Sequence, residues 1–420
     1  MAKRRIRWPS AFVILFAALA NAAADDYADA RAELVAAYQV QDFVAMATAA
    51  EKSLLARPEY PGALFNLALA HALGGNNESS LATLDSLLVK GIDFGADQMD
   101  EFVALRELPG WDTYMRRVKA LYEPVGAAEV ALHFDDGQFV PEGIAIDEDG
   151  DIYLGSIRKG LLIQSGGETR VLSDRQGHWS VFGMRFHEDG TLWFASAAVP
   201  QLVDVGAEEG SSGLFQLDVG SGEILRSAVL PRNEEKRVLG DLVISGDGIY
   251  TTDSLAGAVY RYDVKSDEFD ALVEPGRLGS PQGLVLDQSG EFLYVADYIG
   301  GLYRLTLADN SLHKVSVPVA VSDYGIDGLY RHGNQLLAIQ NGARPHRVVS
   351  FALSDDGLSI LDHRVVAANL EAFDEPTLGT VQGDDFYFVA NSHWNRFDRE
   401  NRLPEGLTGP IILKLSMAPE

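Results

Sequence analysis

The chain is 420 residues long, 47% hydrophobic and 23% charged, with 41 Gly, 16 Pro and no Cys. Without Cys there is no disulfide framework, no cysteine nucleophile and no thiolate metal site, while the apolar content suffices for a large core. Asp and Glu (61) outnumber Lys and Arg (34), and the resulting charge of −27 repels polyanions and argues against nucleic acid as a partner.

Lys3, Arg4, Arg5 and Arg7 precede an apolar run, Ala11 to Ala20, and then Ala22-Ala23-Ala24. This is the charged, apolar, small-residue order of a secretory signal, with cleavage expected near Ala22 or Ala24. The run is shorter than the roughly 20 residues a bilayer span requires. The expectation is a periplasmic or secreted protein with no membrane span once the signal, residues 1–24, is removed.

Residues 25–124 are rich in Ala and Leu at helical spacing. Leu34, Ala37 and Tyr38 share one face, as do Leu64, Leu67, Ala68 and Ala72. Gly74-Gly75-Asn76-Asn77 predicts a turn between helices. Asp42-Phe43-Val44-Ala45-Met46 and Asn77-Glu78-Ser79-Ser80-Leu81 lie 35 residues apart, a period that resembles tetratricopeptide repeats. A helical cap and a groove for a protein partner both fit this segment.

Beyond Pro124 the texture changes to short β-branched and aromatic runs separated by Asp-Gly and Ser-Gly turns. Units open at Pro141-Glu142-Gly143, Val181-Phe182-Gly183, Leu239-Gly240-Asp241, Pro281-Gln282-Gly283, Ile326-Asp327-Gly328 and Glu375-Pro376-Thr377. Aromatic strands follow, such as Ile152-Tyr153-Leu154 and Leu293-Tyr294-Val295. Such units predict propeller blades. The final unit lacks a fourth strand, and Glu129 to Phe134 alternates without a unit of its own, so it is expected to close the ring. The predicted fold is mainly β: a six-bladed β-propeller over 125–420, preceded by a small α-helical repeat domain.

In this architecture the residues before the repeated Gly converge at one mouth of the central channel. They are Glu142, Phe182, Gly240 with Asp241, Gln282, Asp327, and Glu375 or Pro376. Asp253, Asp297, Asn341, Asn391 and His393 are expected in the surrounding loops, and two long loops, 197–212 and 396–408, are expected to wall the mouth. Carboxylate and amide oxygens gathered there suit a hard divalent cation.

The blade-opening motifs, together with Thr252-Asp253-Ser254, Gly257 and Tyr260-Arg261, resemble the gluconolactonase, senescence-marker-protein and paraoxonase group of six-bladed propellers. The resemblance implies a divalent-cation site, Ca²⁺ foremost, at Glu142, Gln282 and Asp327, and metal-assisted hydrolysis of lactones or related small esters. It implies Asp327 or another mouth-facing group as general base, with His393 a candidate proton carrier. Candidate contacts to a small-molecule substrate are Asp241, Asn341 and Asn391. Gln282 stands where the group usually has Asn, and Gly240 where it has a substrate-contacting Asn. A non-catalytic interaction or ligand-binding propeller is the rival reading. The remaining His residues lack the spacing of a zinc site, and neither a serine-hydrolase elbow nor a phosphate loop is present.

Overall fold

The computed structural model describes residues 26–165, 169–231 and 236–418. The expected signal segment lies outside them. The chain divides into two compact units at Ala120–Leu121, and among the described residues no helix is long and apolar enough to cross a membrane.

The first unit is helical. Helices α1 (Asp26–Gln39), α2 (Phe43–Ala56), α3 (Pro61–Leu73) and α4 (Asn77–Val89) form two successive hairpins, followed by 3-10 turns and α5 (Trp111–Leu121). Local chemistry sets the boundaries. The Asp42 carboxylate accepts from the Ala45 N–H at 2.9 Å and caps α2, and Pro61, which has no N–H to lose, starts α3. Ser80 ties α4 to α3 through the Ala68 carbonyl at 2.7 Å.

The second unit is the six-bladed propeller. Strand β1 (Glu129–His133) comes first and pairs last. Blade one is β2 (Pro141–Ile146), β3 (Ile152–Ser156), β4 (Leu161–Ser165) and β5 (Thr169–Asp174). Blade two is β6 (Ser180–Phe186), β7 (Leu192–Ala197), β8 (Ser212–Leu217) and β9 (Ile224–Val229). Blade three is β10 (Leu239–Ser245), β11 (Gly248–Asp253), β12 (Ala258–Asp263) and β13 (Glu268–Val273). Blade four is β14 (Pro281–Leu286), β15 (Phe292–Asp297), β16 (Gly301–Thr306) and β17 (Ser311–Lys314). Blade five is β18 (Ile326–His332), β19 (Gln335–Gln340), β20 (Arg347–Leu353) and β21 (Ile360–Ala368). Blade six joins β22 (Gly379–Gln382), β23 (Asp385–Val389) and β24 (Ile411–Ser416) to β1. There β1 runs antiparallel to β24, with Leu132 opposite Ile412.

The innermost strands β2, β6, β10, β14, β18 and β22 neighbour one another in that order, and β22 returns to β2. Apolar clusters fill the spaces between adjacent blades. Tyr153 and Phe194 meet between blades one and two, Trp193 and Tyr262 between two and three, and Phe386 and Tyr330 between five and six. A residue at the end of the second strand braces the segment that feeds its own blade. Ser196 accepts from the Trp179 N–H, and Asp253 and Asp297 accept from the N–H groups of Val238 and Ser280. Buried carboxylates bonded in this way hold the blades rather than front the solvent.

Candidate functional site

The ladder between first and second strands slips at one equivalent place in blades one to five. The shifts fall between Pro141 and Ile144, Val181 and Met184, Leu239 and Leu242, Pro281 and Leu284, and Ile326 and Gly328. A bulge frees its residue from pairing and re-aims the side chain; here it acts on Glu142, Phe182, Gly240, Gln282 and Asp327. The glycine that follows is needed because neighbouring blades touch there. A Cβ on Gly143 would lie 1.9 Å from the Phe182 carbonyl oxygen, and one on Gly283 2.7 Å from that of Asp327.

The same geometry corrects the expected register of blade six. A Cβ on Gly328 would meet the Thr377 carbonyl oxygen at 3.0 Å, so Thr377, not Glu375 or Pro376, occupies the ring position. Glu375 has a left-handed backbone (φ 65°), and this turn delays entry into the blade. Blade three is inverted: Gly240 takes the side-chain position and Asp241 the glycine position. A Cβ on Gly240 would meet nothing nearer than Thr252 Oγ1 at 3.4 Å and Gln282 Oε1 at 3.9 Å.

Three carboxyl groups act on one another here. Glu142 is buried, and its Oε2 accepts from Trp394 Nε1 at 2.7 Å. Burial, then the charge of Asp327, pushes its carboxyl well above the usual range; the Trp394 N–H opposes this, and Glu375 adds to it. Asp327 Oδ2 accepts from Asn341 Nδ2 at 2.6 Å, and the Asn341 Oδ1 in turn accepts from the Tyr298 hydroxyl at 3.0 Å. Burial raises the Asp327 carboxyl to about 7, against the Asn341 bond and with help from Asp241. Glu375 also rises to about 7 through burial, although its Oε2 accepts from the Asn395 N–H at 2.7 Å. The groups that act on Glu142 and Asp327 are neutral donors and other acids.

The other expected residues are distributed around this cluster. Gln282 Nε2 donates to Ser280 Oγ at 3.1 Å, and its carbonyl oxygen faces the Gly240 gap. Asp241 is buried and pairs with Arg185 at 3.3 Å, while the Arg185 guanidinium lies 5.5 Å from the centre of the Tyr330 ring. Arg185 and Tyr330 belong to no motif of the sequence. Both ends of the Asn391 amide are engaged by the backbone, donating to Gly409 O at 3.0 Å and accepting from the Ile411 N–H at 2.7 Å. His393 is buried, with Nε2 2.7 Å from Thr408 O and Nδ1 4.0 Å from Asp374 Oδ2. Its ring nitrogens therefore face blade-six groups.

The long blade-six loop behaves as a strap across blades one and two. Trp394, Phe397 and Leu403 pack on the apolar cluster that includes Phe182 and Val199. Gln201 donates to Asn401 Oδ1 at 3.2 Å, and Gln138 to Pro404 O at 2.9 Å. His393 and Gly406, both with left-handed backbone (φ 65° and 75°), turn its two ends. The strap brings Trp394 onto Glu142, 252 positions away in sequence.

Among the described residues no three Asp, Glu or His side chains converge tightly enough to hold an ion alone. The donor set offered by Glu142, Gln282 and Asp327 is two carboxylates and an amide. Among the described residues neither carboxylate has a cationic partner, and such oxygen donors fit a hard cation chemically.

No family model and no curated protein matches the sequence. Among solved structures, the chain is similar to the calcium-binding protein regucalcin from Agrobacterium tumefaciens, at 14% identity over 69% of this chain and 93% of that chain, with a TM-score of 0.49. A luciferin-regenerating enzyme is similar at 13% identity over 70% and 95% of the two chains, with a TM-score of 0.48. Virginiamycin B lyase from Staphylococcus aureus is similar at 14% identity over 69% and 99%, with a TM-score of 0.45.

Proposed function

We propose that the protein is an exported, divalent-cation-dependent hydrolase of lactones or related small esters, with Ca²⁺ the favoured ion. The observation that carries this reading is a pair of desolvated carboxyl groups, Glu142 and Asp327, interacting at the channel mouth with only neutral donors and other acids acting on them. Glu142, Gln282 and Asp327 would hold the ion, which when bound would polarise the carbonyl of the substrate. Trp394 fixes the orientation of the Glu142 carboxylate, and Asn341 that of Asp327. Asn341, itself held by Tyr298, is thus a positioning residue for Asp327. Asp327 would also be the group to accept a proton from an attacking water. Export rests on the pattern of residues 1–24 and places the protein in the periplasm or outside the cell.

The test is hydrolysis of a panel of aliphatic and sugar lactones and aryl esters. Activity should disappear with a chelator, return with Ca²⁺, and fall at least ~100-fold in Asp327→Asn. Hydrolysis indifferent to chelation, or a panel with no substrate, overturns the reading.

A further inference from the structure

Thr377 occupies the blade-six position of the mouth ring, and its backbone is committed. Its N–H donates to Val389 O at 3.3 Å, and its carbonyl lies against Gly328. The side chain is 1% exposed, yet among the described residues its Oγ1 has no partner in hydrogen-bonding geometry. Several buried hydroxyls of the first and second strands are engaged, whereas Ser322 Oγ, in the segment before β18, is not. Thr251 donates to Asp241 O at 2.9 Å, Thr252 to Gln282 O at 2.7 Å, and Ser180 to Ile157 O at 2.6 Å. The hydroxyl interacts with the Glu142 carboxyl without a well-aligned hydrogen bond, which leaves its oxygen lone pairs unengaged. The Thr377 hydroxyl stands close enough to Glu142 to favour its charged form.

We propose that Thr377 Oγ1 is a further oxygen donor to the cation held at the mouth, supplied by blade six beside Glu142. The proposal rests on the reading of the mouth as a cation site and adds a residue that none of the blade-opening motifs marks. Ca²⁺ takes about six to eight oxygens, so the two carboxylates and one amide leave its sphere underfilled. A neutral hydroxyl fills a place without further acid–acid repulsion. It also accounts for a threonine where blades one and five present acids.

The experiment is calorimetric titration of the full mature chain with CaCl₂, alongside thermal melting without metal, for wild type, Thr377→Val and Thr377→Ser. Valine keeps the shape and removes the oxygen; serine keeps the oxygen. Thr377→Val should bind Ca²⁺ about tenfold or more weakly, while its metal-free melting temperature stays level or rises. Thr377→Ser should bind within a few-fold of wild type. Equal affinity in the valine variant, an equal loss in the serine variant, or a valine chain that melts lower without metal overturns the role of Thr377 and leaves the cation site standing. A wild type that takes up no Ca²⁺ overturns both.

Discussion

His178 shows how completely one side chain's chemistry follows from its surroundings. It packs edge-on to Phe194 with ring centres 5.1 Å apart, its Nδ1 lies 3.0 Å from the Trp179 carbonyl, and its Nε2 lies 2.7 Å from Ser173 Oγ. The carbonyl can only accept, so the proton sits on Nδ1 and Nε2 accepts from the serine hydroxyl. Burial lowers its pKa to about 4 from 6.5. The unfolded chain therefore binds the extra proton between those values and the folded chain does not. Stability is unaffected by this group above pH 6.5 and declines as the pH falls from 6.5 to 4, by up to ~3 kcal/mol. His178→Gln should remove this one contribution from urea unfolding across that window, where His346 acts in the same sense and the raised Asp327 and Glu375 carboxyls in the opposite one. An unchanged slope in the variant would place the titrating group elsewhere.

At the scale of elements, the bulge and the glycine behind it explain why the first strands deliver side chains to the mouth. Gly143→Ala would drive a methyl into the Phe182 carbonyl, whereas Gly240→Ala meets only Thr252 Oγ1 at 3.4 Å. The first should cost at least ~3 kcal/mol and the second less than ~1 kcal/mol, measured by chemical denaturation; similar costs would refute the inter-blade contact. The repeated glycine was legible in the sequence because this steric requirement recurs in blades one, two, four and five. The inversion at Gly240-Asp241 was visible as letters, but its consequence, a gap at the mouth and a carboxylate paired with Arg185, required neighbouring strands. Blade six enters one or two residues later than its letters suggest, because the left-handed Glu375 breaks the pattern. Trp394 on Glu142 depends on a strap whose path no local spacing encodes. Asp253 and Asp297, expected around the mouth, brace the incoming chain because the end of each second strand lies beside the segment that feeds its blade.

For the whole molecule, closure is the decisive feature. The unpaired sixth unit and the leftover alternating segment Glu129–Phe134 were both readable, since a ring leaves no strand without a neighbour. The structure closes it through β1 and β24, with Leu132 packed against the cluster of Phe139, Ile144 and Ile412. Leu132→Pro removes an N–H and a half-buried apolar side chain at the seam. It should destabilise the protein by ~3 kcal/mol or more and broaden thermal unfolding; an unchanged melt would show that the seam contributes little. Because the mouth acids come from blades one, five and six, their convergence depends on that seam. The most direct test of the account is a crystal structure of the protein grown with CaCl₂. Electron density for one ion bound by oxygens of Glu142, Gln282 and Asp327 is the predicted result. A mouth filled only by water at saturating Ca²⁺, with both carboxylates unchanged, would contradict it.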